Sequence, residues 1–380
     1  MLTQCSSKIT GMQKKSIHLD YSDIFWYISG MNTNAVITTR EELERYLQLT
    51  DDEKRWFAHQ ENSLPLAISR YYLKLIDPTD VHDPLRRQVI PTALELQCSK
   101  SEQMDPLAEV HHSVFPRLIH RYANRVAFLV TDTCATYCRH CFRRRFTACM
   151  ATSVSDTELN QIGEYLHAHT EVKEILLTGG DPLTLSNSRL KHIISVIGAA
   201  RGDVVIRLCS RIPATFPARV TPELVKMLQE TRRTALYVMT QFNHPREITK
   251  ESIRAIELLV DAGLPVMNQT VLLRGVNDSV DVLEALMNAL VANRVKPYYL
   301  FQGDLVEGTG HLRVPLEQGF ALEAQLRSRL SGLAMPTYAI DLPDGGGKVP
   351  LNKSYLQERD GDDWVFKTLQ GELRRYSDPE

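Results

Sequence analysis

Three cysteines, Cys134, Cys138 and Cys141, stand at C-x3-C-x2-C spacing in one short stretch. They follow the apolar run 126–130, which predicts a strand leading into a loop. A loop of that length can wrap three thiolates around one face of an iron–sulfur cube, leaving the fourth iron without a protein ligand. An open iron can bind a small molecule, as the open position of a catalytic zinc does. The alternative is a structural zinc site with His140 or Cys149 as fourth ligand. Such sites usually pair two C-x2-C units, and the sequence has no second unit.

Other groups invite chemistry less specifically. Gly179-Gly180-Asp181 follows an apolar run; glycines there permit close backbone approach to a ligand, and the carboxylate can accept from an ammonium. Gly345 to Lys348 resembles a phosphate loop, but Leu342 stands where a glycine is needed and Val349 where Ser or Thr is needed. Pro350 also opposes a helix there. A lysine on a glycine hinge can instead form a Schiff base with a carbonyl cofactor, or be a solvated loop lysine. Arg143, Arg144 and Arg145 suit one small anion, with nucleic acid as the alternative. Asp304 and Asp341 each follow an apolar run, and either alone reads as a cap or surface charge. His111 and His112 are adjacent and point apart on any regular element, which argues against a metal site.

The elements that must position these groups alternate from Arg125 onward. Apolar runs at 126–130, 174–177, 204–208, 235–239, 265–273 and 297–301 are separated by amphipathic segments near 155–168, 187–199, 221–231, 247–262, 279–293 and 315–331. Ser155, Thr221-Pro222, Thr249 and Asn277-Asp278 read as helix caps. Six strand–helix units predict a parallel α/β sheet, and the candidate groups fall at or just past strand C-termini, as in an α/β barrel. A further run at 337–340 ends at Asp341. Residues 1 to about 35 are weakly patterned. Residues 36–115 read as mostly helical, with helices opening near Glu41 and Asp51 and a third over 65–76. The tail is polar, with a short hairpin over 364–369. The expected organisation is an N-terminal extension (1–115), a barrel (116–345) and a lysine-bearing segment with the tail (346–380).

The 380 residues are 43% hydrophobic and 24% charged, with a formal net charge of -2. That is ordinary globular composition, with no basic field that would point to nucleic acid. Seven cysteines, an odd number with three in one loop, argue against a disulfide framework and for a reducing cytoplasm. No apolar segment follows Lys8, Lys14 and Lys15 to make a signal peptide, and no stretch has the length of a membrane span. Met12 and Met31 leave the start codon open.

Taken together, the segments His120 to Val126, Cys134 to Phe146, Leu177 to Pro182, Ser210-Arg211, Phe242 to Pro245, Asn268 to Asp278, Pro297 to Tyr299 with Asp304, and Asp341 to Lys348 resemble the lysine 2,3-aminomutase family of radical S-adenosylmethionine (SAM) enzymes. The likeness spans residues 80 to about 375. It implies a partial (β/α)6 barrel with a [4Fe–4S] cluster, SAM and pyridoxal 5′-phosphate (PLP). It implies that Cys134, Cys138 and Cys141 ligate the cluster, that Lys348 holds PLP, and that Arg121 and Tyr122 neighbour it. Gly179, Gly180, Asp181, Ser210, Arg211 and Gln269 would contact the cofactors. Arg143 would pair with the substrate α-carboxylate, and Asp304 with Asp341 would grip a distal ammonium. Family members acting on glutamate lack that aspartate pair.

The implied reaction converts L-lysine to β-lysine, drawing an electron from a donor such as flavodoxin or ferredoxin. The alternatives are supply of β-lysine for elongation-factor modification, arginine 2,3-aminomutation, a radical SAM enzyme modifying RNA or protein with the arginines as docking charge, and a non-enzymatic cluster-binding regulator. The sequence departs from the family twice. Longer members carry a cysteine-rich tail that binds an intersubunit zinc and a cysteine where Ser279 stands, so zinc is not expected and a homodimer would use other contacts. Gln241 stands where several relatives have histidine.

Overall fold

The computed structural model describes residues 35–60, 63–149, 152–352, 354–361 and 363–377. The weakly patterned start, with Cys5, lies outside them. Strands β1 (Val36–Ile37) and β2 (Ile68–Ser69) pair antiparallel in the lead-in. The central sheet holds β3 (Ser113–Phe115), β4 (Leu118–Tyr122), β5 (Arg125–Thr131), β6 (Glu174–Gly179), β7 (Val205–Cys209), β8 (Leu236–Thr240), β9 (Val266–Val271), β10 (Lys296–Phe301), β11 (Thr337–Leu342) and β12 (Gly347–Pro350), in chain order across the sheet. Neighbours from β5 to β11 are parallel; β3, β4 and β12 add antiparallel edges.

The sheet has two free ends, yet residues from β4 through β12 all line one cavity of about 390 Å³. It therefore curls around that cavity, and bonds made with side chains, not a backbone ladder, span the seam. Arg121 of β4 donates to Asp341 Oδ1 of β11 at 2.7 Å, and the Lys348 amide of β12 donates to the Tyr122 hydroxyl at 2.9 Å.

Alternation along each strand sorts residues between two faces. Phe128, Ile175, Leu177, Ile206, Leu208, Leu236 and Val238 are buried in the main core under the helices. Their neighbours Ala127, Leu176, Thr178, Arg207, Cys209 and Met239 face the cavity. Helices Asp156–Ala168, Asn187–Ala200, Pro222–Thr231, Lys250–Asp261, Val280–Ala292 and Leu316–Arg329 connect the parallel strands where the apolar periodicity put them. Ser155, Thr221 and Thr249 cap as expected. The helix from Val280 is capped by Ser279 rather than Asn277-Asp278. Asn277 is fully buried and bonds the Leu273 amide and the Asn243 and Val271 carbonyls instead.

The lead-in is less helical than its composition suggests. The expected helix over 65–76 is only Arg70–Leu73, preceded by extended chain and β2. The extended part is needed elsewhere: the Leu64, Pro65 and Ala67 carbonyls accept bonds from Arg139 and Tyr137 of the cysteine loop. Tertiary demand overrides local propensity there. The tail forms a three-stranded antiparallel sheet, β13 (Leu356–Asp360), β14 (Asp363–Lys367) and β15 (Leu373–Ser377), wider than the expected hairpin. Among the described residues, no helix is long and apolar enough to cross a membrane.

Candidate active site

The cysteine loop leaves the end of β5 and is clamped from two sides. On one, Gly180 N donates to Thr131 O at 2.6 Å and Asp181 N to Thr133 O at 2.8 Å. A Cβ at Gly179 would lie 2.4 Å from Thr131 O, and one at Gly180 2.3 Å from Thr133 O; Gly179 also has a φ of +109°. The two glycines are therefore required by the neighbouring backbone, where the sequence suggested a ligand. On the other side, Arg139 is fully buried and forks onto Glu95, with Nε–Oε1 at 2.8 Å and Nη2–Oε2 at 2.5 Å. Its backbone N donates to Gln88 O. Breaking a buried pair of this kind by removing one partner typically costs ~3–5 kcal/mol.

Cys134, Cys138 and Cys141 all line the cavity. Burial, with Asp181 and the other two cysteines as like charges, pushes the Cys134 thiol well above its usual range; burial first and then Cys138 raise Cys141. Both shifts disfavour the thiolates, and bound iron would supply the positive charge that offsets them. Among the described residues, no three His, Cys, Asp or Glu side chains are placed to hold a single metal ion. A cube of four irons instead asks its thiolates to stand apart along one wall. His140 Nε2 lies 3.0 Å from Gln241 Nε2, and the Cys149 thiol donates to Arg145 O.

Asp181, read from the sequence as able to accept from an ammonium, already accepts from three backbone amides. Its Oδ1 takes the Leu183 amide, and its Oδ2 takes the amides of Arg211 at 2.7 Å and Ile212 at 3.2 Å. The carboxylate lines the cavity while tying the loop after β6 to the loop after β7. Ser210 Oγ accepts from Ile212 N in the same turn. Arg211 reaches the opposite way and donates to Cys138 Sγ at 2.7 Å. Gln269 is half-buried on β9 and faces the cavity.

Lys348 sits on a strand, not on the flexible hinge that its glycines suggested. Asp344, Gly345 and Gly347 have φ of 57°, 79° and 85°, so the chain reverses tightly and β12 returns against β11. Asp341 and Lys348 become direct cross-strand partners, with Nζ 2.5 Å from Oδ2. The ammonium also stands 5.0 Å from the Phe301 ring centroid, in an aromatic wall where Tyr299 and Phe301 stack at 4.8 Å. Arg121 lies between Asp341 and the Tyr122 hydroxyl, 2.7 and 2.6 Å away. Asp304 lines the same cavity; burial, then the Asp341 charge, push its carboxyl up to about 7.

The arginine run is engaged. Arg143 forks onto Glu109 at 2.7 and 2.9 Å and donates to Thr178 Oγ1 at 2.9 Å. Arg144 binds Glu95 and Glu307 O; Arg145 binds Asp105 and Glu109. Arg143 lines the cavity with its counter-ion beside it, so charge for docking RNA or protein is not free here. The sequence reading missed Glu95, Glu109, Gln88 and Glu247. For Glu95 and Glu109 the only signal was that three consecutive arginines need carboxylates from somewhere; Gln88 and Glu247, which hold Arg211, left no signal in the sequence.

A radical SAM superfamily model matches residues 128–286 and a lysine-2,3-aminomutase model residues 323–380. The L-lysine 2,3-aminomutase of Clostridium subterminale is 43% identical over 360 residues, covering 95% of this chain and 86% of that one. That of Acetoanaerobium sticklandii is 41% identical over 361 residues, with the same coverage. The chain belongs to the lysine 2,3-aminomutase family of radical SAM enzymes. It is an isomerase of that type, and a [4Fe–4S] cluster and SAM follow from the family. The glutamate 2,3-aminomutase of Clostridioides difficile is also similar, 37% identical over 359 residues, covering 94% of this chain and 83% of that one.

The residues present fit the groups this aminomutase family implies. The three thiols of the C-x3-C-x2-C loop line one cavity, and a guanidinium beside Cys138 offsets anionic charge there. A primary amine faces the same cavity from β12. The two departures have local accounts: Ser279 is a helix cap, and Gln241 partners His140.

Proposed function

We propose that this protein is a PLP-dependent L-lysine 2,3-aminomutase, moving the α-amino group to C3 to give β-lysine. One observation carries the reading: two carboxylates from adjacent strand ends, Asp304 and Asp341, share a cavity with the amine of Lys348 and the cysteine loop. Cys134, Cys138 and Cys141 would hold the cluster, and Gly180, Ser210 and Gln269 would flank SAM. Lys348 would hold PLP, beside Arg121 and Tyr122. When bound, cluster and SAM supply the radical chemistry that removes an unactivated hydrogen, and PLP carries the migrating nitrogen.

The chain's own groups bind, orient and exclude water. Phe301 and Tyr299 wall the lysine end of the cavity. The Tyr122 hydroxyl fixes β12 by accepting from the Lys348 amide, so the amine is delivered from a rigid strand. Arg143, whose Nε and Nη2 are held by Glu109 and whose Nη1 donates to Thr178, would offer an α-carboxylate its remaining N–H groups. Asp304 and Asp341 give a distal ammonium its counter-charge. The test is reduction of the PLP-loaded protein with borohydride followed by peptide mapping. The adduct is expected on Lys348, and anaerobic incubation with SAM, reductant and lysine is expected to yield β-lysine. An adduct on another lysine would overturn the assignment.

Asp304 gives a pH dependence. Its carboxyl is raised from 3.8 to about 7, so the folded protein holds that proton across the interval and loses stability as pH rises through it. A lysine ammonium prefers the ionised form. Affinity for lysine should therefore fall by up to about tenfold per pH unit below 7 and lose this dependence above it. Equilibrium binding to the PLP-loaded, unreduced protein reads this out. Asp304→Asn should bind weakly and keep only the slope from the substrate's own α-amine. A wild-type profile parallel to that of Asp304→Asn would remove Asp304 from the ammonium seat.

A further inference from the structure

Behind the cysteine loop lies a buried polar cluster that the reaction does not otherwise use. Arg211 is 7% exposed and Glu247 fully buried. Arg211 Nη1 donates to Cys138 Sγ at 2.7 Å, while its Nη2 meets Gln88 Oε1 at 2.5 Å and Glu247 Oε1 at 2.8 Å. Glu247 Oε1 also accepts from the Tyr72 hydroxyl at 2.6 Å, and its Oε2 takes the amides of Asn243 and His244. Gln88 Oε1 in turn accepts from Asn243 Nδ2 at 3.0 Å. The guanidinium is thus gripped on its far side by groups from the lead-in and from the loop after β8, and its near side is presented to one sulfur.

We propose that Arg211 is a positioning residue that sets the reduction potential of the cluster through Cys138. This rests on the reading that Cys138 is a cluster ligand. Reducing a cluster by one electron from an external donor adds negative charge, and hydrogen bonds to ligand sulfurs together with local net charge set how readily that occurs. A buried cation donating to one thiolate stabilises the reduced form, and low local dielectric enlarges the effect. Glu247 and Gln88 aim the fork and moderate its charge. The lead-in therefore has a redox task as well as a structural one: Gln88 and Tyr72 both belong to it. The role differs from contacting SAM, because it operates with cluster alone bound.

The test is a reductive titration of the reconstituted cluster without SAM, followed by electron paramagnetic resonance. Arg211→Gln removes the charge. Gln88→Glu keeps an acceptor facing Arg211 and adds a negative charge while leaving every cysteine-loop side chain and the Gln88 carbonyl bond to Arg139 N unchanged. Both are expected to lower the potential, with the reduced-to-oxidised ratio at fixed poise falling about tenfold, or ~59 mV for one electron. Arg211→Lys, which keeps the charge, should recover most of the shift. Wild-type potential in both Arg211→Gln and Gln88→Glu would overturn the inference. If Arg211→Gln assembles no cluster, Gln88→Glu decides alone, and an unshifted potential there overturns it. Iron content separates the two levels: a Cys138→Ala protein with a full cluster would overturn the ligand reading and the inference with it.

Discussion

Replacing Cys138 by alanine is expected to abolish SAM cleavage, a loss of at least about three orders of magnitude, or ~4 kcal/mol of transition-state stabilisation. Cys134→Ala and Cys141→Ala should do the same. The expectation rests on ligand count. The three thiols line one cavity, and Cys149, the nearest other cysteine in the chain, is exposed with its thiol on the Arg145 carbonyl. A cluster that already leaves one iron to a small molecule has no further ligand to lose. Cys98→Ala and Cys209→Ala are the controls. Cys98 is exposed, while Cys209 faces the cavity from β7 with its thiol pushed up to about 11, chiefly by burial. Neither residue belongs to the C-x3-C-x2-C loop, and the Cys209 thiol is turned to the Arg207 carbonyl, so both controls should cleave SAM at the wild-type rate. The measurement is 5′-deoxyadenosine formed with dithionite after anaerobic reconstitution. Full cleavage by Cys138→Ala would sink the ligand assignment.

The parallel core was legible because its strands are short apolar runs and its helices announce themselves with caps. Six strands and six helices fall where period and capping put them. What stayed hidden was long-range. The Asp341–Lys348 pair arises from a tight reversal at Asp344 and Gly345 that local sequence reads equally well as a loose hinge. The glycines at 179 and 180 looked ligand-facing because nothing local reports that Thr131 and Thr133 press against them. Arg143 looked free because its counter-ion, Glu109, lies 34 residues earlier in the lead-in, with nothing local to pair them. Buried ion pairs between segments far apart in the chain leave no periodic trace, and the cysteine loop depends on several of them.

Substrate choice should follow from charge at the far end of the cavity. Asp304 and Asp341 both line it, and Asp341 already carries Arg121 and Lys348 as partners. Asp304 has no such neighbour within bonding distance among the contacts of the described residues, and burial first, then the Asp341 charge, raise its carboxyl. A distal ammonium favours its ionised form, whereas the carboxylate of glutamate would oppose it. Glutamate is therefore not expected to turn over, although a glutamate 2,3-aminomutase is among the relatives. Arginine also brings a distal cation, but its guanidinium is longer and planar and asks for a forked seat. Lysine should be preferred over arginine by at least about tenfold in kcat/KM, which requires only ~1.4 kcal/mol of differential binding. Asp304→Asn should lower kcat/KM for lysine by about a hundredfold, matching the ~1.5–3 kcal/mol of a hydrogen bond to a charged group. The Asp341→Asn loss should be larger, because it also releases Arg121 and Lys348. SAM binding should change little in either variant. Competition between lysine, arginine and glutamate in one anaerobic incubation measures all of this, and comparable kcat/KM for lysine and glutamate would show that these aspartates do not select the substrate.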